Sequence, residues 1–386
     1  MREINFPMYR ICLCLLVFTH LLSGAVFAQG GPDIPLTPEA WTSQGAAPTF
    51  VTHRGRQALR PPADGGVALT RTLTDFRDGT VDFDIAFTDS TRFTGFYFRV
   101  DSTTYEHVYL RVERRDPMAS DHIQYAAVLA GANLWDLRPA YQSNADLNYD
   151  DWNHVRIVMR DRRLVAYVND METPALVVPR TDGPLVASAI AFDGAVFVSG
   201  VTVRPGEYGD LPAGEGFDVT DNDPRYLRKW EVTQPRPLAP DATPIRLPVG
   251  NEESDLPGDD AGWTPIATET FGLVNLSRPF GATPGGEQRV VWLRTTITAE
   301  EAQTRRLDLG FSDAVVLFLN GGLLGIDRTV YLAPGMAQPE GRLALENSTW
   351  ELPLRAGENE LLIAVTNFFY GWGIVARLDN GRGLRY

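Results

Sequence analysis

The sequence predicts an all-β protein, two antiparallel β-sandwiches of the jelly-roll kind in tandem, and three observations carry the prediction. Asp151 to Asp170 holds two short runs of alternating character: Val155, Ile157 and Met159 among Arg156, Val158 and Arg160, then Leu164, Ala166 and Val168 among Val165 and Tyr167. Apolar side chains at every second position, rich in β-branched and aromatic residues, mark strands with one buried face. The same alternation recurs along the chain, in at least six segments in all. The third observation is composition: 35 Gly and 27 Pro in 386 residues supply many turns. The nearest approach to helical spacing, Thr298 to Arg306, is too short for more than a turn or two.

Between the two runs, Arg160-Asp161-Arg162-Arg163 is a charged connection suited to a hairpin, and Asn169-Asp170 ends the second strand with a turn-forming pair. The length accommodates two domains of ordinary size. A hydrophobic share of 44% with 22% charged residues is that of soluble globular protein. The formal net charge of −14 repels phosphate backbones and anionic lipid, so nucleic acid is not an expected partner.

The N-terminus reads as a secretory signal peptide over residues 1–28. Arg2 and Arg10 precede the apolar run Ile11 to Phe18, and Val26-Phe27-Ala28 fits a peptidase site with Gln29 as the mature start. The run is short and broken by Thr19 and His20, unlike a membrane span. Both cysteines, Cys12 and Cys14, fall inside it. The mature chain then has no disulfide and no thiolate site, which fits a secreted or periplasmic bacterial protein.

Opening strands are expected within Trp41 to Val51 and at Gln57 to Leu59. Thr80 to Thr88 puts Val81, Phe83, Ile85 and Phe87 on one face and Asp82 and Asp84 on the other. Phe93 to Val100 sets Phe96, Phe98 and Val100 against Gly95, Tyr97 and Arg99. His107 to Glu113 sets Val108, Leu110 and Val112 against His107, Tyr109, Arg111 and Glu113. Ile123 to Leu129 follows, then Gly131 to Pro139 with Trp135, and Val196 to Val203 closes a first domain over 35–205. Residues 206–223 read as linker. The second domain, 224–386, has strands at Leu227 to Val232, Val290 to Ile297 and Arg306 to Leu309. A hairpin at Val315 to Ile326 turns at Asn320-Gly321, a dipeptide that accepts positive φ. Trp350 to Leu354 and Leu361 to Val365 follow, and Gly371-Trp372-Gly373 precedes the last strand.

The Trp152 hairpin with its Val-Tyr-Val-Asn strand resembles laminin-G-like and concanavalin-A-like jelly rolls. Phe311-Ser312-Asp313, the turns at Asn320-Gly321 and Gly357-Glu358-Asn359, and Gly371-Trp372-Gly373 resemble the galactose-binding-like β-sandwich. Tyr105 to Arg111, Asp121 through Gln124-Tyr125, and Gly131-Ala132-Asn133 with Trp135 are similar to a laminin-G-type family of bacterial envelope proteins. The resemblance extends to 3-keto-disaccharide hydrolases, which implies an enzyme as one alternative.

The residues themselves do not supply a catalytic set. The Glu-x-Asp-x-x-Glu run that jelly-roll glucanases use to aim carboxylates into one cleft is missing. His53, His107, His122 and His154 are not at metal-ligand spacing, and no Gly-x-Ser-x-Gly elbow occurs. Asp82, Asp84 and the acidic loop Asp255 to Asp260 read as solvated, so no metal and no cofactor are expected. Sugars need flat rings against their C–H faces and planar polar groups for paired hydroxyls. Tyr97, Arg99, Tyr109, Arg111, Gln124 and Trp135 supply both on one expected outward face, centred on Arg111. Tyr370 and Trp372 form a secondary candidate, with Trp372 as a plug of the sandwich end the competing reading. The expected function is glycan recognition without a catalytic centre; a glycoside-acting hydrolase or lyase, or a structural envelope protein, are the alternatives.

Overall fold

The computed structural model describes residues 33–43, 45–62, 65–114, 116–238, 256–281, 287–334 and 336–386. The targeting segment, both cysteines and the start of the acidic loop at Asp255 lie outside the described residues. Strands take up 49% of the chain and helix 3%. The all-β expectation therefore holds.

In chain order the strands of the first half are β1 (Trp41–Thr42), β2 (Thr49–His53), β3 (Arg56–Arg60), β4 (Ala68–Thr70), β5 (Gly79–Phe87), β6 (Phe93–Asp101), β7 (Thr104–Arg111), β8 (Ile123–Leu129), β9 (Ala132–Asn133), β10 (Gln142–Ser143), β11 (Trp152–Arg160), β12 (Arg163–Val168), β13 (Leu176–Val178), β14 (Ala191–Phe192) and β15 (Val196–Pro205). Those of the second half are β16 (Lys229–Val232), β17 (Arg236–Leu238), β18 (Thr264–Ala267), β19 (Leu273–Asn275), β20 (Gln288–Ala299), β21 (Gln303–Ser312), β22 (Ala314–Leu319), β23 (Gly322–Arg328), β24 (Ser348–Leu354), β25 (Gly357–Asn367), β26 (Gly373–Leu378) and β27 (Leu384–Arg385). Thr298 to Arg306, the nearest to helix by spacing, is the end of β20, a turn and the start of β21.

The chain divides into two compact units. The first holds the described residues up to Ile123, with Asn144–Ala175 and Asp182–Pro212. The second holds Gln124–Ser143, Leu176–Thr181 and Ala213–Tyr386. Two segments that the sequence puts in the first domain thus group with the second unit, among them the Trp135 loop.

In the first unit β12, β11, β5, β15, β3 and β2 form one antiparallel sheet in that order, and β1, β4, β14, β6 and β7 another. The β11–β12 hairpin has the register its alternation requires: Val155 faces Val168, Ile157 faces Ala166 and Met159 faces Leu164. All six are buried. At the turn Asp161 takes positive φ, as Asp tolerates. Phe83 of β5, Phe96 of β6 and Phe192 of β14 meet between the sheets, with ring centroids 4.9–5.6 Å apart. The void left there is about 10 Å³, room for one water at most, so this interior admits no ligand.

In the second unit β18, β16, β20, β25, β22 and β23 form one antiparallel sheet, with β17 and β27 also on β20. The other runs β19, β26, β21, β24. Leu293, Val315, Ile363, Leu307, Phe311, Ile374 and Trp372, from both sheets and the loop before β26, share one buried core. The β22–β23 hairpin turns at Asn320 and Gly321, both at positive φ as expected. Trp350 to Leu354 and Leu361 to Val365 sit on different sheets, because β24 pairs with β21 while β25 pairs with β20 and β22.

Candidate functional site

The polar face of β6 and β7 in the first unit gathers three of the expected residues, Tyr97, Tyr109 and Arg111, with additions. Tyr97 lies directly opposite His107, and Gly95 opposite Tyr109. Period-two pleating therefore brings Tyr97, Tyr105, His107 and Tyr109 onto one face. The His107 ring lies 5.2 Å from Tyr97, 5.1 Å from Tyr109 and 6.0 Å from Tyr105. Asp193, just past β14, fixes this group: one carboxylate oxygen accepts the Gly95 amide at 2.5 Å and the other accepts the Tyr97 hydroxyl at 2.6 Å. Arg111 pairs with Asp121 and stands 5.7 Å over the Tyr109 ring and 5.4 Å over Phe93.

The electrostatics are those of neutral aromatic rings beside the Asp193 carboxylate. Burial pushes the His107 imidazole down to about 4, so it is neutral at pH 7 with one donor and one acceptor nitrogen. Burial, then Asp193, lift Tyr97 well above the usual phenol range and Tyr105 to about 12. His107 is 6% exposed, and neither of its ring nitrogens has a hydrogen-bond partner among the described residues. An imidazole so placed leaves one strong donor and one strong acceptor to be satisfied.

Arg99 corrects the expectation. A register shift between Phe98 and Asp101, with Arg99 at φ +47°, breaks the alternation and turns the side chain inward. It is 0% exposed. Its guanidinium donates to Glu106 at 2.9 Å, to Asp78 at 2.6 Å and to the Asp161 carbonyl at 2.5 Å. Arg99 is an internal tie and no part of an outward face. Tyr109, expected outward, is buried, and Arg111, expected to reach ligand, is engaged by Asp121.

Gln124 and Trp135 belong to the second unit, and both are buried. Gln124 donates to the Trp135 carbonyl at 2.7 Å. Trp135 packs edge-on against Tyr331 at 5.2 Å and Tyr370 at 5.9 Å, with Arg342 5.1 Å above its ring. The two expected candidates Trp135 and Tyr370 therefore meet, and Tyr370 keeps 45% exposure. Trp372 is 0% exposed in the core, beneath Arg289, so it is the plug and not a platform. Beside this aromatic group two carboxyls are buried together. The Ser312 hydroxyl lies 3.1 Å from Asp136 and 3.2 Å from Asp313, and Asp313 accepts the amides of Phe368 and Phe369 at 2.5 and 2.6 Å.

His107, Tyr105 and Asp193 carry the β6–β7 site and are missing from the set expected to bind. The signal for two of them is the Tyr-x-His-x-Tyr run over 105–109, which period-two reading puts on one face. Asp193 comes from a distant loop, and pattern gives no sign of it.

The fold is that of a β-sandwich of the jelly-roll class. Residues 37–194 match the 3-keto-alpha-glucoside-1,2-lyase-like domain family, a span that includes the whole Tyr97–His107–Asp193 group. A carbohydrate-binding module from Bacillus subtilis is similar over 44% of this chain and 99% of its own, with 16% identity and a TM-score of 0.33. The β-glucanase of Bacillus licheniformis aligns over 45% of this chain and 96% of its own, at 10% identity and a TM-score of 0.32. A galectin of Caenorhabditis elegans aligns over 40% and 98%, at 13% identity and 0.29. No curated protein sequence matches the chain. Among the described residues no helix is long and apolar enough to cross a membrane.

Proposed function

We propose that the protein is an exported glycan-binding protein whose first unit holds a sugar against the Tyr97, Tyr105, His107 and Tyr109 face and does not cleave it. The observation that carries this reading is His107. It is buried among three tyrosines, and both its nitrogens lack partners among the described residues. A sugar offers C–H faces for the rings and hydroxyls that both donate and accept, which matches a neutral imidazole. Export rests on residues 1–28, with Gln29 the mature start that N-terminal sequencing of secreted protein should find.

The test is a glycan array on wild type and on His107→Phe. The phenyl ring keeps the packing and removes a buried polar group, so thermal stability should hold or rise. Binding should fall about tenfold or more with the loss of two hydrogen bonds. Equal binding by the variant refutes the reading.

A second reading, a lyase or hydrolase acting on 3-keto glycosides, is favoured by the family match over residues 37–194. In that case the neutral His107 nitrogen takes the proton from the sugar carbon between the keto and anomeric carbons. The C–H electron pair forms a C=C bond as the glycosidic C–O bond breaks, and the departing oxygen takes up that proton. Incubation of a 3-keto disaccharide with wild type then yields the unsaturated sugar and the released alcohol, which His107→Phe does not make.

A further inference from the structure

The second unit carries a cavity unrelated to the His107 face. Its floor is Leu273 of β19 and Val375 of β26, which face each other directly across the strands. Their neighbours Val274, Ile374 and Ala376 point into the core, so Leu273 and Val375 stand on the opposite face of that sheet, where polar side chains are the rule. Both are nonetheless buried, Leu273 at 0% and Val375 at 5% exposure. Loops cover them.

Two close approaches set the walls. Gly310 of β21 lies beside Val375, and a Cβ there would sit 2.6 Å from the Ala344 carbonyl oxygen, so only glycine lets the Leu343–Glu346 backbone lie on the sheet. Gly272, at φ +70°, would put a Cβ 2.6 Å from the Tyr226 ring. Tyr226 and Phe271 line one side, and Leu137 to Ala140 another. The space between these walls, open at a mouth, is about 180 Å³. Apolar cavities of roughly 150 Å³ take up a benzene ring, so this one has the size for a six-membered ring with a short substituent.

Charge selects the substituent. Two charged side chains line the cavity, Arg138 and Glu346. The Arg138 guanidinium is committed, donating to Glu269 at 2.8 Å and to the Thr270 carbonyl at 2.6 Å. Glu346 has no ion-pair partner among the described residues. It and Ala140 are the two exposed lining residues, so the carboxylate stands at the mouth. An apolar ring entering here meets an unpaired anion at its outer end, within a protein of net charge −14.

We propose that this cavity binds a small organic ammonium ion on an apolar six-membered ring, the ring over Leu273 and Val375 and the cation at Glu346. The probes are benzylammonium, benzyl alcohol and benzoate, titrated calorimetrically into the full chain. Benzylammonium should bind tightest and benzoate not at all. Glu346→Gln, at an exposed position, should weaken benzylammonium about tenfold, to the level of benzyl alcohol, as loss of a charge-assisted contact does. Ala140→Trp, also exposed, should close the mouth and abolish binding of both. No binding by any probe, benzoate binding as tightly as the ammonium, or an ammonium affinity unchanged in either variant would each overturn the proposal.

Discussion

Arg99 and Arg111 lie on neighbouring strands and look alike in the sequence, yet they do opposite work. Arg99 is enclosed and holds Glu106 and Asp78, which are 0% and 5% exposed at the side chain. Removing it strands two buried carboxylates, and breaking a buried ion pair from one side typically costs 3–5 kcal/mol. Arg99→Ala should therefore lower the urea-unfolding free energy by about that much, with any loss of ligand binding secondary to unfolding. Arg111 and Asp121 keep 19% and 18% side-chain exposure, in reach of solvent. Arg111→Ala should cost only about 1 kcal/mol of stability. If Arg99→Ala leaves the urea midpoint where it is, the burial and pairing described for it are wrong.

At the scale of elements, β5 shows how a polar strand face is organised. Asp82 and Asp84 alternate with the core residues Val81, Phe83 and Ile85, and the sequence suggests they are merely solvated. Instead His154 of β11 touches both, at 3.2 Å to Asp82 and 2.9 Å to Asp84, while Arg156 and Arg204 also pair with Asp82 and Arg56 pairs with Asp84. The bonds to Asp82 and Asp84 raise His154 to about 9. Burial works against ionisation of Asp82, but its bonds to His154, Arg156 and Arg204 prevail and hold it at about 2. A folded pKa above the unfolded value of 6.5 means that the histidine's contribution is full below pH 6.5 and is lost as pH rises through 9. The Asp82 contribution is present above pH 3.8 and is lost as pH falls through 2. The stability difference between wild type and His154→Ala should thus be largest near pH 6 and shrink by pH 10. A difference that grows across that range would contradict the pairing. Elements of this kind show how far the sequence reaches. The β11–β12 register, the Asn320-Gly321 turn and the inward face of β5 were legible, because period-two burial and turn chemistry are local. Arg99 was not, because a bulge resets parity without a sequence mark. Nor was the fate of Trp135, whose neighbours Tyr331 and Tyr370 lie some 200 residues away along the chain.

For the molecule as a whole, the acid pair of the second unit should dominate its response to mild acid. Asp136 and Asp313 are each 1% exposed and share the Ser312 hydroxyl. Burial raises Asp313 to about 7, with the amides of Phe368 and Phe369 pulling the other way. Burial, reinforced by Asp313, also raises Asp136 well above the usual carboxylate range. The folded state therefore binds protons that the unfolded chain releases near pH 3.8. The contribution is full below pH 3.8 and is lost as pH rises toward 7, at up to about 1.4 kcal/mol per pH unit for each group. Asp313→Asn keeps the shape, and its amide oxygen can still accept from Phe368 and Phe369 while its amino group faces Ser312. It cannot ionise, and it removes the like charge that raises Asp136. Stability measured by urea unfolding should fall more steeply from pH 4 to pH 7 in wild type than in Asp313→Asn. The variant should be no more stable than wild type at pH 4 and relatively more stable at pH 7. Parallel curves across that window would mean that Asp313 is ionised in the folded protein throughout, and the pair would then have to be held by cations that the described residues do not place beside it.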